Sequence, residues 1–159
     1  MIDLNALVQA VQSLNTEDAF RARLNGEQWR TIGQYLTQHD IRQNEMLIKQ
    51  GDTDRTMYFL AAGSLQVFIS GGPPGSSRLV ILRPGSVVGE PALFVAGPRT
   101  ANVEAMTAST VFALRGPRLE ELAQRSPALA LELIRAAGGV MAVRMRNTLN
   151  NPAKGSATT

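Results

Sequence analysis

The residues best suited to chemistry stand close together, in the run Gly89-Glu90-Pro91-Ala92-Leu93-Phe94-Val95-Ala96-Gly97-Pro98-Arg99-Thr100-Ala101-Asn102-Val103. Gly89 permits close backbone approach, and Pro91 suits the first position of a short helix, where a missing N–H costs nothing. A helix starting there points the N–H groups of Ala92 and Leu93 outward, as an anion site. Arg99 follows a Gly-Pro corner and enters a strand, so its guanidinium can return to the same pocket and clamp an anionic oxygen. Thr100 adds a hydroxyl and a backbone N–H. A carboxylate beside a bound phosphate would be repelled, so Glu90 makes sense as the acceptor for a neutral sugar hydroxyl. Together these groups ask for a ribose that carries a phosphate.

The flanking sequence must supply the scaffold. Leu4, Leu7, Val8, Val11 and Leu14 recur at helical spacing and predict an amphipathic helix over residues 3–14, packed on its own domain or on a partner. Thr16-Glu17-Asp18 offers a cap and an acidic first turn for a second helix through Leu24, and Asn25-Gly26 separates it from a third over 27–36 with Trp29, Ile32 and Leu36 on its buried face. From Asp40 to Leu114 the texture changes to short runs rich in Val, Ile, Phe and Tyr, broken by Gly, Pro, Asp and Ser. The runs are Met46–Lys49, Met57–Ala61, Ser64–Ser70, Arg78–Leu82, Val87-Val88, Thr100–Ala105 and Val111–Leu114. The expected fold class is α+β, an eight-stranded jelly-roll barrel over 40–115. It is preceded by helices within 1–39 and followed by helices over 116–150, the last of them long. Gly71 to Ser77 reads as an exposed hairpin loop, and residues 151–159 as a disordered tail. Ser126-Pro127 starts the long helix, which Gly138-Gly139 interrupts as a candidate hinge.

The segment resembles the phosphate-binding cassette of the cyclic nucleotide-binding domain family, Gly-Glu-x-Ala-Leu followed by Pro-Arg-x-Ala-x-Val. The likeness extends upstream through Ile48-Lys49-Gln50-Gly51-Asp52, Met57-Tyr58-Phe59-Leu60, Gly63 and Ile81-Leu82-Arg83-Pro84-Gly85, and downstream to Ser126-Pro127. It implies that Gly89 and Glu90 meet a ribose 2′-hydroxyl, and that the Ala92 N–H, Arg99 and Thr100 meet a cyclic phosphate. The ligand so implied is cyclic AMP, or else cyclic GMP, with no cofactor. In this family the helix after the barrel commonly covers the base, which points to Arg144 as a lid residue stacked on the purine; the competing reading is that Arg144 and Arg146 only solvate the helix. Val88 and Asn102 depart from the family pattern and reshape the pocket wall without removing a ligand contact.

Composition narrows the alternatives. With 159 residues, 44% of them hydrophobic, the chain suits one domain plus appendages. It contains no cysteine, which excludes disulfides, thiolate metal sites and cysteine nucleophiles and makes the cytoplasm the default compartment. His39 is the single histidine, too few for a metal-dependent barrel, so no metal site is expected. Of 16 basic residues, 14 are Arg, Lys49 and Lys154 being the others, and a basic binding surface weighs less than codon usage as the reason. No secretory signal or membrane span is evident. The glycine-rich loop at Gly71–Gly75 lacks the Gly-Lys-Ser/Thr of a nucleoside triphosphate site. No nucleophile and base adjoin the cassette, so an enzyme is not expected, and direct DNA binding is not expected either. Met141, Met145 and Leu149 recur every four residues and suggest core or a homodimer seam. The expected role is a stand-alone sensor signalling through its flanking helices to an unnamed protein partner; the alternative is a ligand-free scaffold that holds its partner constitutively.

Overall fold

The computed structural model describes residues 3–72 and 80–150. The chain runs α1 (Leu4–Ser13), α2 (Gly26–Gly33), β1 (Thr37–Ile41), β2 (Met46–Ile48), β3 (Thr56–Ala62), β4 (Leu65–Phe68), β5 (Val80–Leu82), β6 (Val87–Val88), α3 (Pro91–Phe94), β7 (Asn102–Ala105), β8 (Ser109–Arg115), α4 (Gly116–Arg125) and α5 (Pro127–Asn150). The predicted tail and most of the predicted hairpin loop lie outside the described residues.

The strands do not close into a single eight-stranded barrel. They form two four-stranded antiparallel sheets, ordered β1-β8-β3-β6 and β2-β7-β4-β5. Alternation along β3 explains the layering, because successive side chains leave opposite faces of a sheet. Met57, Phe59 and Ala61 join a core shared with the helices, whereas Tyr58 and Leu60 face a second core between the sheets, against Ile48, Leu65, Val67, Leu82 and Val103. The first sheet is therefore covered on both sides, and β3 and β8 read as nearly unbroken apolar runs. The second sheet has one wet face, and β4 alternates buried with half-buried residues.

The helices build the other side of the first core. α1 is capped by Asp3, whose carboxylate accepts from the Ala6 N–H at 3.1 Å, and it turns Leu7 and Val11 inward. It thus packs on its own domain. Asn25 does more than break the chain: it forms a reciprocal capping box with Gln28, each side chain accepting from the other's backbone N–H at 2.8 Å. α2 seats Trp29 and Ile32 in the core, and Phe20, Trp29 and Phe59 meet edge-on or tilted.

Three expectations need correction. Residues 16–24 form no helix, only a turn closed by the Ala19 N–H on the Thr16 carbonyl, because Asp18 points away to an arginine on α5. The first strand begins at Thr37, so α2 ends three residues short of Leu36, and His39 lies within β1 opposite Val111. Finally, α5 runs 24 residues without a break through Gly138-Gly139. Its buried face, from Leu129 to Val140, holds the backbone helical across the two glycines.

Candidate functional site

The cassette hangs between β6 and β7. Gly89 follows directly on the two-residue strand β6 and adopts φ +82°, a conformation that favours glycine. A Cβ there would lie 2.8 Å from the Thr56 carbonyl oxygen and 2.9 Å from Arg99 Nη1, so close approach is required as well as a positive φ. Glu90 stands at the cap position and Pro91 opens α3, as the sequence predicts.

The helix is too short to leave its first N–H groups free. Ala92 donates to the Gly89 carbonyl at 3.2 Å and Leu93 to the Glu90 carbonyl at 3.1 Å, the i→i−3 pattern of a tightened turn. The expected outward pair of donors is thus folded into the cassette itself. Leu93 is buried in the helical core and anchors the cassette there. Arg55 ties down the other end of α3, donating from Nε to the Ala92 carbonyl at 3.1 Å and from Nη2 to that of Leu93 at 3.4 Å.

Arg99 is buried, and its orientation is set by four bonds. Nε and Nη2 form a fork on the two oxygens of Asp54 at 3.2 and 2.9 Å, Nη1 donates to the Gly89 carbonyl at 3.1 Å, and Nη2 to the Thr56 carbonyl at 2.6 Å. Its backbone is zipped to the turn after β2: the Arg99 N–H donates to the Asp52 carbonyl and the Gly51 N–H to that of Arg99. Beside it Pro91, Ala92 and the stretch Val95–Thr100 line a mostly apolar cleft of about 340 Å³. Asn102 has a structural task at this end, its carboxamide accepting from the Gln50 N–H at 2.9 Å and donating to Ser70 Oγ at 2.8 Å.

Glu90 is wholly buried. Oε2 accepts from Arg144 Nη1 at 3.0 Å, while Oε1 has no hydrogen-bond partner among the described residues. Burial pushes its carboxyl above the usual range, against the pull of Arg144. Arg144 also donates from Nε to Asp18 at 2.9 Å and from Nη2 to the Val87 carbonyl at 2.8 Å. The structure thus brings Arg144 into the site, but the guanidinium is committed to Glu90, Asp18 and Val87 and does not stand as a lid over an open face. The geometric reason is register: Arg144 falls on the flank of α5 that faces the domain, whereas Met145 beside it is exposed.

Sequence reasoning missed Asp54, Asp18 and Arg55. Each meets a partner 37 or more residues away, so no local spacing announces it.

The profile of the cyclic nucleotide-binding domain matches residues 38–126, more than half of the chain. The chain belongs to the cyclic nucleotide-binding domain family. The human cyclic nucleotide-gated channel beta-1 is 41% identical over 87 residues, 53% of this chain and 7% of the channel. The regulatory subunit of the cAMP-dependent protein kinase of Blastocladiella emersonii is 28% identical over 109 residues, 69% of this chain and 26% of the subunit. This cyclic nucleotide-binding domain therefore spans about a quarter or less of these curated relatives. Among solved structures, a cyclic nucleotide-binding domain from Methylobacillus flagellatus superposes with TM-score 0.79 at 16% identity, over 93% of this chain and 81% of that one. The catabolite activator protein of Thermus thermophilus gives 0.69 at 26% identity, over 82% and 59%. Among the described residues no helix of this domain is long and apolar enough to cross a membrane, and no three His, Asp or Glu side chains gather to hold a metal.

Proposed function

We propose that this domain is a sensor of a purine 3′,5′-cyclic mononucleotide, cyclic AMP in the first place and cyclic GMP in the second, binding it without turning it over. The observation that carries the reading is the pairing of two preset groups one cassette apart: Glu90, buried with one carboxylate oxygen unpartnered, and Arg99, buried and held by Asp54, Gly89 and Thr56. A buried acceptor lacking a donor is costly by itself, and a ribose 2′-hydroxyl is a neutral donor of the right size. In this reading Gly89 lets the sugar approach, and Arg99 and Thr100 hold the cyclic phosphate. The Ala92 N–H is shared between the phosphate and the Gly89 carbonyl, a three-centre arrangement common at helix ends. The flanking helices carry the signal to a protein partner, in the cytoplasm.

Calorimetric titration with cyclic AMP, cyclic GMP and cyclic di-GMP tests this. The mononucleotides should bind, and Arg99→Ala should weaken binding about 30-fold or more, since losing one side of a buried charge-assisted contact costs about 2–5 kcal/mol. Equal affinity of wild type and Arg99→Ala, or no binding of either mononucleotide, overturns the reading.

A second feature supports a homodimer. Leu131, Met145 and Leu149 are exposed, and Met141, half-buried, recurs with Met145 and Leu149 every four residues on α5. That is the spacing of a helix seam, which a second copy would cover. Sedimentation equilibrium showing a dimer that Met145→Glu converts to monomer is the expected result; a wild-type monomer at all concentrations refutes it.

A further inference from the structure

Three elements distant in sequence meet at one buried cation. Arg144 on α5 reaches Glu90 of the cassette at 3.0 Å and Asp18 of the turn between α1 and α2 at 2.9 Å, and only 11% of its side chain is exposed. Two carboxylates draw on separate donors of one guanidinium, Asp18 on Nε and Glu90 on Nη1, so their titrations are linked through it. The arrangement also decides which Glu90 oxygen stays open: Oε2 is taken and Oε1 is not.

We infer that Arg144 and Asp18 form a positioning pair for Glu90: Arg144 engages one carboxylate oxygen and leaves the other to accept a ligand's ribose hydroxyl, and Asp18 holds the guanidinium by Nε in the orientation that presents Nη1 to Glu90. The inference rests on the reading of Glu90 as a ribose acceptor. It makes preference for a ribo over a 2′-deoxyribo ligand a property of three residues, two of them outside the cassette.

The chemistry turns on ionisation. An ionised Glu90 accepts from a hydroxyl with its free oxygen, whereas a protonated one carries a hydrogen of its own to place. Burial drives Glu90 toward protonation, Arg144 and the backbone N–H of Glu90 itself oppose this, and the negative charge of Asp18 reinforces burial. Asp18 is itself desolvated, yet Arg144 and its hydrogen bonds win and hold its carboxyl below the usual range. Other charged and titratable groups of the cassette region are engaged elsewhere: Arg99 holds Asp54 and the Gly89 carbonyl, and Tyr58 of β3 lies in the field of Asp54 and Arg99. Of the charged side chains, Arg144 and Asp18 are therefore the two that bear on Glu90.

The experiment measures affinity of the full chain for cyclic AMP and for 2′-deoxy cyclic AMP from pH 4 to 8, in wild type, Arg144→Gln, Arg144→Lys and Asp18→Asn. In wild type, cyclic AMP should bind more tightly than the deoxy analogue, and the advantage should fade as acid protonates Glu90. Arg144→Gln should move that fading to higher pH by roughly one to three units, the reach of a close opposite charge. Asp18→Asn should move it to lower pH, and Arg144→Lys should restore the charge and lie near wild type. Opposite displacement by two members of one ion-pair network is not what loss of packing would give. If Arg144→Gln does not fold, Arg144→Lys and Asp18→Asn still decide. A wild-type advantage whose pH midpoint is unmoved by Asp18→Asn overturns the pair while leaving Glu90 as the acceptor, as does one unmoved by a folded Arg144→Gln. Equal wild-type affinity for the ribo and deoxy ligands overturns the reading of Glu90, and the pair with it.

Discussion

Gly89→Ala tests how tightly the cassette is built. Gly89 sits at φ +82°, where an L side chain costs roughly 1–2 kcal/mol. The new methyl would also lie 2.8 Å from a backbone oxygen, Thr56 O, and 2.9 Å from Arg99 Nη1, and Arg99 cannot swing aside without leaving Asp54 and Thr56. Overpacking of that kind adds roughly 1–3 kcal/mol, for a total of roughly 2–5 kcal/mol. Gly51→Ala separates the two contributions. Gly51 has φ +94° but nothing within 4 Å of a would-be Cβ, so it should lose only the conformational part. Urea unfolding of both variants reads the difference, and calorimetry with cyclic AMP reads its functional side. If the methyl displaces the guanidinium, the loss of one charge-assisted bond, about 1.5–3 kcal/mol, weakens binding about ten- to hundredfold in Gly89→Ala. Stabilities that coincide for the two variants, together with wild-type affinity in Gly89→Ala, would refute the account of Gly89 as a close-approach position.

Gly138→Ala and Gly139→Ala should each stabilise by about 0.5–1 kcal/mol in thermal unfolding, because α5 is continuous there and a Cβ meets at most the Phe94 ring at 3.6 Å; a loss of stability would restore the hinge. Phe59→Ala should cost about 3–5 kcal/mol in denaturant titration, since the ring is fully buried between Phe20 and Trp29. Asp18→Asn should be less stable than wild type at neutral pH. Because the folded Asp18 carboxyl is depressed, its contribution is present above about pH 4 and is lost as pH falls through the folded value, so the two stability curves should converge in acid; parallel curves down to pH 2 would show that the ion pair with Arg144 contributes nothing.

The cassette was legible in the sequence because its functional parts are local. Gly89, Glu90, Pro91 and Arg99 lie within eleven residues, and turn chemistry plus charge type suffice to bring them together. Seven of the eight strands were legible for the same reason, each being a short run with its own punctuation; β1 was not, and how the strands divide between two sheets depends on pairings such as Thr37 with Ala113, which no local pattern encodes. Residues 16–24 misled because Thr16-Glu17-Asp18 has the composition of a helix start, and its acidic member is instead drawn to Arg144, 126 residues away. The free helix N-terminus at Ala92 and Leu93 misled for a different reason: a four-residue helix closes its own donors before a ligand arrives. The sequence points to Arg144, and the structure brings it to Glu90, but its contacts follow from which flank of α5 meets the cassette, a matter of packing.

The burial of Glu90 has a kinetic consequence. A carboxylate with no exposed surface cannot be met by a ligand in a single diffusive encounter. Contact with it has to wait for the groups packed around it to part, and only the parted fraction of molecules is competent to form the sugar contact. In stopped-flow mixing, the observed association rate should therefore rise with cyclic AMP concentration and then level off at the rate of that parting. The plateau belongs to the protein, so ligands of different affinity should share it and differ chiefly in how slowly they leave.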